Sequence, residues 1–135
     1  MRTAVIFSDG GSRGNPGPAA IGAVVSDEAG NVLHEVSERI GITTNNVAEY
    51  RALIEGLRAA LELGFDAARV RMDSELIVKQ LRGEYRVKHE GLRPLYEEAR
   101  RLLDRFVERD LKHVPRAQNR AADALVNRAL DAAPK

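Results

Sequence analysis

Four of the twenty acidic residues stand at points in the sequence from which side chains can converge. Asp9 and Asp73 each come directly after a predicted strand, and strand ends are where open α/β sheets place ligand sites. Glu49 and Asp123 each lie near the start of a predicted helix, at the border of its apolar stripe. We therefore expect the four acids to meet at one edge of a sheet.

Each acid also has an ordinary structural explanation when it is taken alone. Asp9 and Asp73 suit turns or caps, and Asp123 suits the positive end of a helix dipole. Glu49 follows Asn46 by three residues, which is the spacing of a capping box. Each explanation is adequate for its own residue. Together they do not account for the placement of four acids at one edge of the sheet.

Four carboxylates at one site predict a binding site for divalent cations. At a separation of about 5 Å and an effective dielectric constant near 20, each pair would repel by about 3 kcal/mol, which bound cations neutralise. Carboxylate oxygens without thiolates favour Mg²⁺ or Mn²⁺, and the chain has no Cys and three His. Two such ions about 4 Å apart are a common means of in-line displacement at phosphorus.

The hydrophobic pattern predicts nine elements that would carry these acids. Strands are predicted over residues 3–8, 21–26, 32–42, 68–72 and 111–114, and helices over 47–63, 75–82, 92–107 and 119–132. The first three strands suggest an antiparallel meander, and the helical crossovers imply parallel pairing among the later strands. The result is a mixed sheet with helices on both sides.

The composition narrows the class of protein without naming an activity. With 135 residues the chain has the length of one domain, which we expect over residues 1–135. The absence of Cys excludes a disulfide scaffold and a thiol nucleophile. The net charge of +1 does not by itself indicate a nucleic-acid partner. Since no apolar run approaches about 18 residues, we expect neither membrane insertion nor secretion, and predict a cytoplasmic protein.

Four segments of the chain resemble the type I ribonuclease H family. They are residues 7–18 (FSDGGSRGNPGP), 44–50 (TNNVAEY), 72–74 (MDS) and 119–123 (NRAAD). They occur in the family's order and span essentially the whole chain. The resemblance implies an α/β fold with a ribonuclease H-like mixed five-stranded sheet, in strand order 3-2-1-4-5, flanked by helices on both sides. It also implies an endoribonuclease that hydrolyses the RNA strand of RNA·DNA hybrids by two-metal-ion catalysis, giving 5′-phosphate and 3′-hydroxyl ends.

The resemblance assigns roles to individual residues. The catalytic residues and metal ligands would be Asp9, Glu49, Asp73 and Asp123, holding two Mg²⁺ ions, with Mn²⁺ as an alternative. The substrate-binding residues would be Gly10, Gly11, Asn15, Thr44, Asn45 and Asn46. The two glycines would let the backbone approach the RNA, and the asparagines would contact 2′-hydroxyls or minor-groove edges. Thr44 would hold a phosphate of the DNA strand. Turn and cap chemistry is the alternative for the asparagines.

Three features depart from the family's pattern. A mobile-loop histidine is often found before the last aspartate; here His113 is predicted to be a strand residue, and Arg116 stands in the short loop. The long basic handle with its tryptophans is missing, and the remaining cations are Lys79, Arg82, Arg86, Lys88 and Arg93. These cations could follow a phosphate backbone or form a solvated face. Glu75 replaces a polar amide, so a base-edge contact there is not expected.

Two other functions compete with the nuclease. A non-catalytic hybrid-binding module of the same fold would be expected to lack at least one of the four acids. A relative of sugar kinases or ATPases would need a second lobe, and the glycine-rich loop lacks the Gly-Lys-Ser/Thr ending of a P-loop. The sequence therefore favours a monomeric nuclease whose partner is an RNA·DNA hybrid.

Overall fold

A computed structural model describes residues 1–132 of the chain. Its five strands are β1 (Thr3–Ser12), β2 (Gly17–Asp27), β3 (Val32–Thr43), β4 (Ala67–Met72) and β5 (Glu108–His113). Its α-helices are α1 (Asn45–Glu62), α2 (Glu75–Leu81), α3 (Arg93–Leu103) and α4 (Arg120–Asp131). Short 3-10 turns lie at Glu90–Leu92 and Arg116–Gln118. All nine predicted elements are present, in the predicted order.

The strands form one mixed sheet in the order β3-β2-β1-β4-β5. β2 pairs antiparallel with both β1 and β3, whereas β4 pairs parallel with both β1 and β5. The antiparallel meander and the parallel crossovers are thus confirmed, together with the predicted strand order.

Helices cover both faces of this sheet. On one face α1 packs on the sheet, where Ile6 and Val70 meet Leu53 and Leu57 in the main core, and α3 packs against α1. On the other face α4 places Val126 against Ala20 of β2. The apolar stripes predicted for α1 and α4 are the buried faces of these helices. Among the described residues, no helix is long and apolar enough to span a membrane.

Several predicted boundaries are wrong. β1 does not end before Asp9, because its antiparallel ladder with β2 continues to Ser12↔Ala19. The helix predicted to reach residue 107 ends at Leu103, and β5 begins three residues earlier than predicted, at Glu108. β5 is an edge strand, and its pairing with β4 begins at Ala67↔Glu108. Its first residues are polar, so the apolar pattern of the sequence reveals only the later part of the strand.

Candidate active site

Asp9 lies where β1 changes from two strand neighbours to one. The parallel ladder between β1 and β4 ends at Ser8↔Met72, and Asp9 retains a partner only in β2, opposite Gly22. Asp73 follows β4 directly, as predicted. The two carboxylates therefore stand side by side at the carboxyl edge of adjacent parallel strands, although Asp9 is inside a strand and not after one.

The first helix brings the third acid to the same edge. One carboxylate oxygen from each of Asp9, Glu49 and Asp73 lies within 4.8 Å of the other two. The backbone N–H of Gly10 donates a hydrogen bond to Glu49 Oε1 and fixes that carboxylate against β1. Asp9 and Glu49 are buried, with 8% and 6% of their surfaces exposed. Three of the four predicted acids thus form one compact cluster.

Asp123 lies outside this cluster but lines the same cleft. The cleft has a volume of about 400 Å³, and α4 presents Asp123 to it from the other face of the sheet. Its Oδ1 is 3.7 Å from the guanidinium of Arg116, and Asn127 Nδ2 donates to its Oδ2 at 3.4 Å. The fourth acid therefore lines the same cleft and lies close enough to Asp9 that, in addition to burial, a hydrogen bond and its charge raise the pKa of that carboxyl.

Burial and mutual repulsion raise the pKa values of the two most enclosed acids. Burial raises the pKa of Asp9 to about 7, opposed by a hydrogen bond with Glu49 and reinforced by the charges of Asp73 and Asp123. Burial, followed by the charge of Asp9, raises the pKa of Glu49 well above its ordinary range. Carboxylates that resist ionisation in this way are stabilised as anions by a nearby cation.

The donor set fits a hard divalent cation. The clustered groups are all carboxylates, which are the ligands preferred by Mg²⁺, Ca²⁺ and Mn²⁺. Within the described part of the chain, Arg116 beside Asp123 is the one cation that forms an ion pair with any of the four acids. The negative charge of the cluster is therefore left without a protein counter-ion.

The two glycines after Asp9 face different surroundings. A Cβ on Gly10 would lie 2.2 Å from the carbonyl carbon of Ala48, so the fold itself requires glycine there for β1 to meet α1. A Cβ on Gly11 would meet Val126 Cγ1 at 3.9 Å, an ordinary contact. The predicted reason for both glycines, close approach of RNA, is therefore not needed to explain Gly10. It remains a prediction for Gly11, which lines the cleft.

The polar residues predicted to bind substrate surround the start of α1. Asn45 Oδ1 accepts hydrogen bonds from Ser12 N at 2.8 Å and Ser12 Oγ at 3.0 Å, and Asn45 N donates to Asn15 Oδ1 at 3.1 Å. Thr44 is the N-cap, and its Oγ1 accepts from Val47 N at 3.3 Å. The capping box beginning at Asn46 is therefore wrong.

These residues do not all reach the cleft. Asn45 and Asn46 line it, whereas Asn15 and Thr44 are not among its lining residues. Asn15 instead ties the loop after β1 to the start of α1, and Thr44 caps that helix. Turn and cap chemistry thus accounts for the contacts of these two side chains within the protein.

Arg116 and His113, the two candidates for the position of the family's loop histidine, differ in their relation to the cleft. Arg116 lines the cleft, whereas His113 is the last residue of β5 and is not among the lining residues. The Nδ1 of His113 is 3.9 Å from Glu75 Oε2, and Glu75 also pairs with Lys79 at 3.2 Å. The prediction that His113 is a strand residue is confirmed.

Sequence reasoning missed Asn119, which is 1% exposed and adjoins the acidic cluster. Its Nδ2 donates to the carbonyl oxygen of Ser8 at 2.9 Å and to Asp73 Oδ1 at 3.3 Å. The sequence pattern predicts Asn119 only as the first residue of a helix over 119–132, and no local spacing indicates a contact with Asp73, 46 residues earlier in the chain.

Comparison with known proteins agrees with the fold. The family model described as "Reverse transcriptase-like" matches residues 7–129. A bifunctional protein of Mycobacterium tuberculosis is 52% identical over 130 residues, which are 96% of this chain and 36% of that protein. Ribonuclease HI of Halobacterium salinarum is 49% identical over 125 residues, 93% of this chain and 63% of that protein. The chain thus spans about a third of the length of the first relative and less than two thirds of the second.

Solved structures extend the likeness. The N-terminal RNase H domain of the M. tuberculosis protein, fused to maltose-binding protein, has a TM-score of 0.93 at 51% identity, covering 96% of this chain and 99% of that one. The RNase H1 called LC11, solved in complex with an RNA/DNA hybrid, has a TM-score of 0.89 at 48% identity, covering 95% and 96%. Together with the family model, which covers most of its length, these matches show that the chain belongs to the type I ribonuclease H family.

Proposed function

We propose that this chain is an endoribonuclease that hydrolyses the RNA strand of RNA·DNA hybrids with two bound Mg²⁺ ions. The observation that carries the proposal is the cluster of buried Asp9 and Glu49 with half-buried Asp73, in a cleft that Asp123 also lines. A similar protein, LC11-RNase H1, has been solved with an RNA/DNA hybrid, which supports the choice of substrate. The products would carry 5′-phosphate and 3′-hydroxyl ends.

The four acids would hold the metal ions. When bound, the ions supply the positive charge that activates the attacking water and stabilises the leaving 3′-oxygen. Asp9 would be the most central ligand, since it is buried and three neighbouring acids, Glu49, Asp73 and Asp123, act on it. Glu49 is held in place by the Gly10 N–H, and so presents its carboxylate in a fixed orientation. Carboxylate oxygens also accept Mn²⁺, which would be the alternative ion.

Asn45 and Asn46 would recognise the RNA strand. The Oδ1 of Asn45 is already engaged by Ser12, which leaves its Nδ2 as the donor toward the cleft. An amide donor there can bind a 2′-hydroxyl or the acceptor of a minor-groove edge, and the 2′-hydroxyl distinguishes RNA from DNA. Asn15 and Thr44 would complete the substrate surface beside them.

Gly11 tests whether RNA approaches the loop after Asp9. We expect Gly11→Ala to leave the thermal midpoint within about 2 °C, because its Cβ meets only ordinary contacts. The same variant should raise KM for the hybrid about tenfold, since the added methyl group would stand where RNA must lie. Gly10→Ala is the contrasting variant and should destabilise the fold by several kcal/mol through its clash with Ala48. An unchanged KM in Gly11→Ala would remove Gly11 from the substrate surface.

The decisive experiment is a cleavage assay on three labelled duplexes, RNA·DNA, RNA·RNA and DNA·DNA, with Mg²⁺ and with EDTA. We expect cutting of the RNA strand of the hybrid, lost in EDTA. A non-catalytic hybrid-binding module is the second candidate, but the presence of all four acids around one cleft favours the enzyme. Binding of the hybrid without cutting in Mg²⁺ or Mn²⁺ would establish the binding module and overturn the nuclease.

We also propose that a single copy of the chain suffices for activity. All four acids that line the cleft come from one chain, so the site needs no residue from a second copy. Light scattering at the concentration of the cleavage assay would test this, and an active species of twice the monomer mass would contradict it. A cytoplasmic location stays a prediction.

A further inference from the structure

Asn119 occupies the N-cap position of α4 but does not cap the helix. An N-cap Asn ordinarily accepts a hydrogen bond from the backbone N–H two or three residues later. Here no side-chain capping bond forms, and the side chain is turned inward, where the residue is 1% exposed. The helix thus forgoes a favourable interaction that this residue type usually provides.

The inward side chain joins the elements that carry three of the site's acids. Asn119 Nδ2 donates to Ser8 O at 2.9 Å and to Asp73 Oδ1 at 3.3 Å. Ser8 precedes Asp9 in β1, Asp73 follows β4, and Asn119 precedes the helix that carries Asp123. One amide group therefore lies where β1, β4 and α4 meet.

The other end of the same amide is unsatisfied. Asn119 Oδ1 is buried and has no hydrogen-bond partner in the described structure. A buried polar atom without a partner destabilises a fold, so an Asn in this setting is not explained by stability alone. The Nδ2 group, which donates to Asp73, is the part of the side chain that contacts a residue of the site.

We propose that Asn119 is a positioning residue that sets the orientation of the Asp73 carboxylate for binding divalent cations. The inference rests on the proposed function, in which Asp73 is a metal ligand. By accepting from Nδ2, Oδ1 of Asp73 is held in a fixed relation to the Ser8–Asp9 backbone, since Nδ2 also binds Ser8 O. Groups that hydrogen-bond to metal-ligating carboxylates typically change metal affinity or activity 10–100-fold when they are removed.

Two variants separate positioning from a purely structural role. Asn119→Ala removes both hydrogen bonds. Asn119→Ser supplies a preferred N-cap residue, so the helix start is retained, but its shorter side chain does not bridge to Asp73. The matched control is Asn31→Ala, because Asn31 Nδ2 also donates to a carboxylate, Asp27 Oδ2 at 3.0 Å, but in an exposed turn whose residues do not line the cleft.

The test is a calorimetric titration of the full chain with Mg²⁺ alone, followed by steady-state cleavage of the hybrid. Circular dichroism without metal establishes that each variant is folded at the temperature used. We expect Asn119→Ser and Asn119→Ala to weaken Mg²⁺ binding by about 10–100-fold. In the same variants kcat should fall at fixed Mg²⁺, while KM for the hybrid stays within about twofold, and Asn31→Ala should resemble the parent.

Two results would overturn the inference. A folded Asn119→Ser variant with the parent's Mg²⁺ affinity would show that Asp73 needs no positioning by Asn119. An Asn119→Ser variant that does not fold would show that the residue serves the fold. Failure of the parent chain itself to bind Mg²⁺ or to cut the hybrid would instead refute the proposed function, and the parent titration detects that separately.

Discussion

Acidic side chains occupy two contrasting environments in this molecule. On the surface they pair with arginines: Asp104 lies 3.0 Å from Arg109, and Asp110 lies 3.1 Å from Arg71. In the cleft, Asp9 and Glu49 are buried beside other acids, and burial raises the pKa of each. The same functional group is thus neutralised by the protein in one region and left without a counter-ion in the other.

This contrast shows where the fold gives up stability. Exposed ion pairs contribute only about 0–1 kcal/mol, so little depends on the surface acids. Buried like charges destabilise a fold unless something neutralises them. Because the cleft contains acids that the protein does not neutralise, its arrangement costs stability and is the one that the proposed cation site would require.

The largest expected effect comes from removing one buried charge. We expect Asp9→Asn to lower the cleavage rate in Mg²⁺ by roughly 10³-fold, since loss of several kcal/mol of metal-mediated stabilisation is at stake. At pH 8 without metal, the same variant should melt higher than the parent, by on the order of 5 °C, because repulsion is relieved. Retained cleavage together with a lower melting temperature would mean that Asp9 is a structural residue.

The second prediction concerns the pH dependence of the metal-free protein. The pKa of Asp9 is raised from 3.8 to about 7, so its contribution to stability is fully present below pH 4 and is lost as pH rises through 7. Between pH 5 and pH 8, this acid alone should lower the free energy of unfolding by roughly 2–3 kcal/mol. Urea unfolding in EDTA at both pH values measures the change. Added Mg²⁺ should restore stability at pH 8, and Asp9→Asn should flatten the dependence; equal stability of the parent at both values would contradict it.

A smaller effect is expected for His113, which lies outside the cleft. His113 does not line the cleft and contacts Glu75 at 3.9 Å, so His113→Ala should leave kcat and KM for the hybrid within about twofold. Steady-state cleavage at pH 6 and pH 8 provides the comparison. A loss of more than tenfold at either pH would assign His113 to the active site after all.

The smallest effect is expected on the surface. Asp104→Asn removes a carboxylate whose side chain is 59% exposed, beside Arg109. We expect the free energy of unfolding to change by less than about 0.5 kcal/mol and cleavage to be unaffected. This variant is the matched control for Asp9→Asn. A change comparable to that of Asp9→Asn would erase the contrast between the regions.

Much of the fold followed from local pattern, because helix stripes and strand runs report directly on burial. The apolar faces of α1 and α4 were predicted from residue spacing and are the faces that pack on the sheet. β5 was predicted only in part, since an edge strand pairs through its backbone and its polar residues 108–110 carry no apolar signal.

The candidate site was predictable to the extent that it depends on residue type. The four acids were found from their positions at element ends, and the structure places all four around one cleft. The N-cap at Thr44, the clash that requires Gly10 and the inward turn of Asn119 were not predicted. The clash at Gly10 and the inward turn of Asn119 depend on distances between segments far apart in the chain, which local spacing does not contain. The N-cap at Thr44 is a local contact with Val47, but the neighbouring Asn45 and Asn46 are equally good cap residues by type, so residue type alone does not select it.

The central position of β1 has a consequence for hydrogen exchange. β1 is bonded on both sides, to β2 and β4, over residues 4–8. Asp73 instead follows the end of β4, and residues 114–119 form a connection with a short 3-10 turn before α4. Amide protons of a central strand exchange mainly through global unfolding, and those of loops exchange through local opening. Mg²⁺ should therefore slow exchange strongly around residues 73–74 and 114–119. In residues 4–8 of β1, Mg²⁺ should slow exchange only as far as it raises the global free energy of unfolding. Binding at one cation site would therefore be seen both in the fast exchange of the loops and in the slow exchange of the central strand.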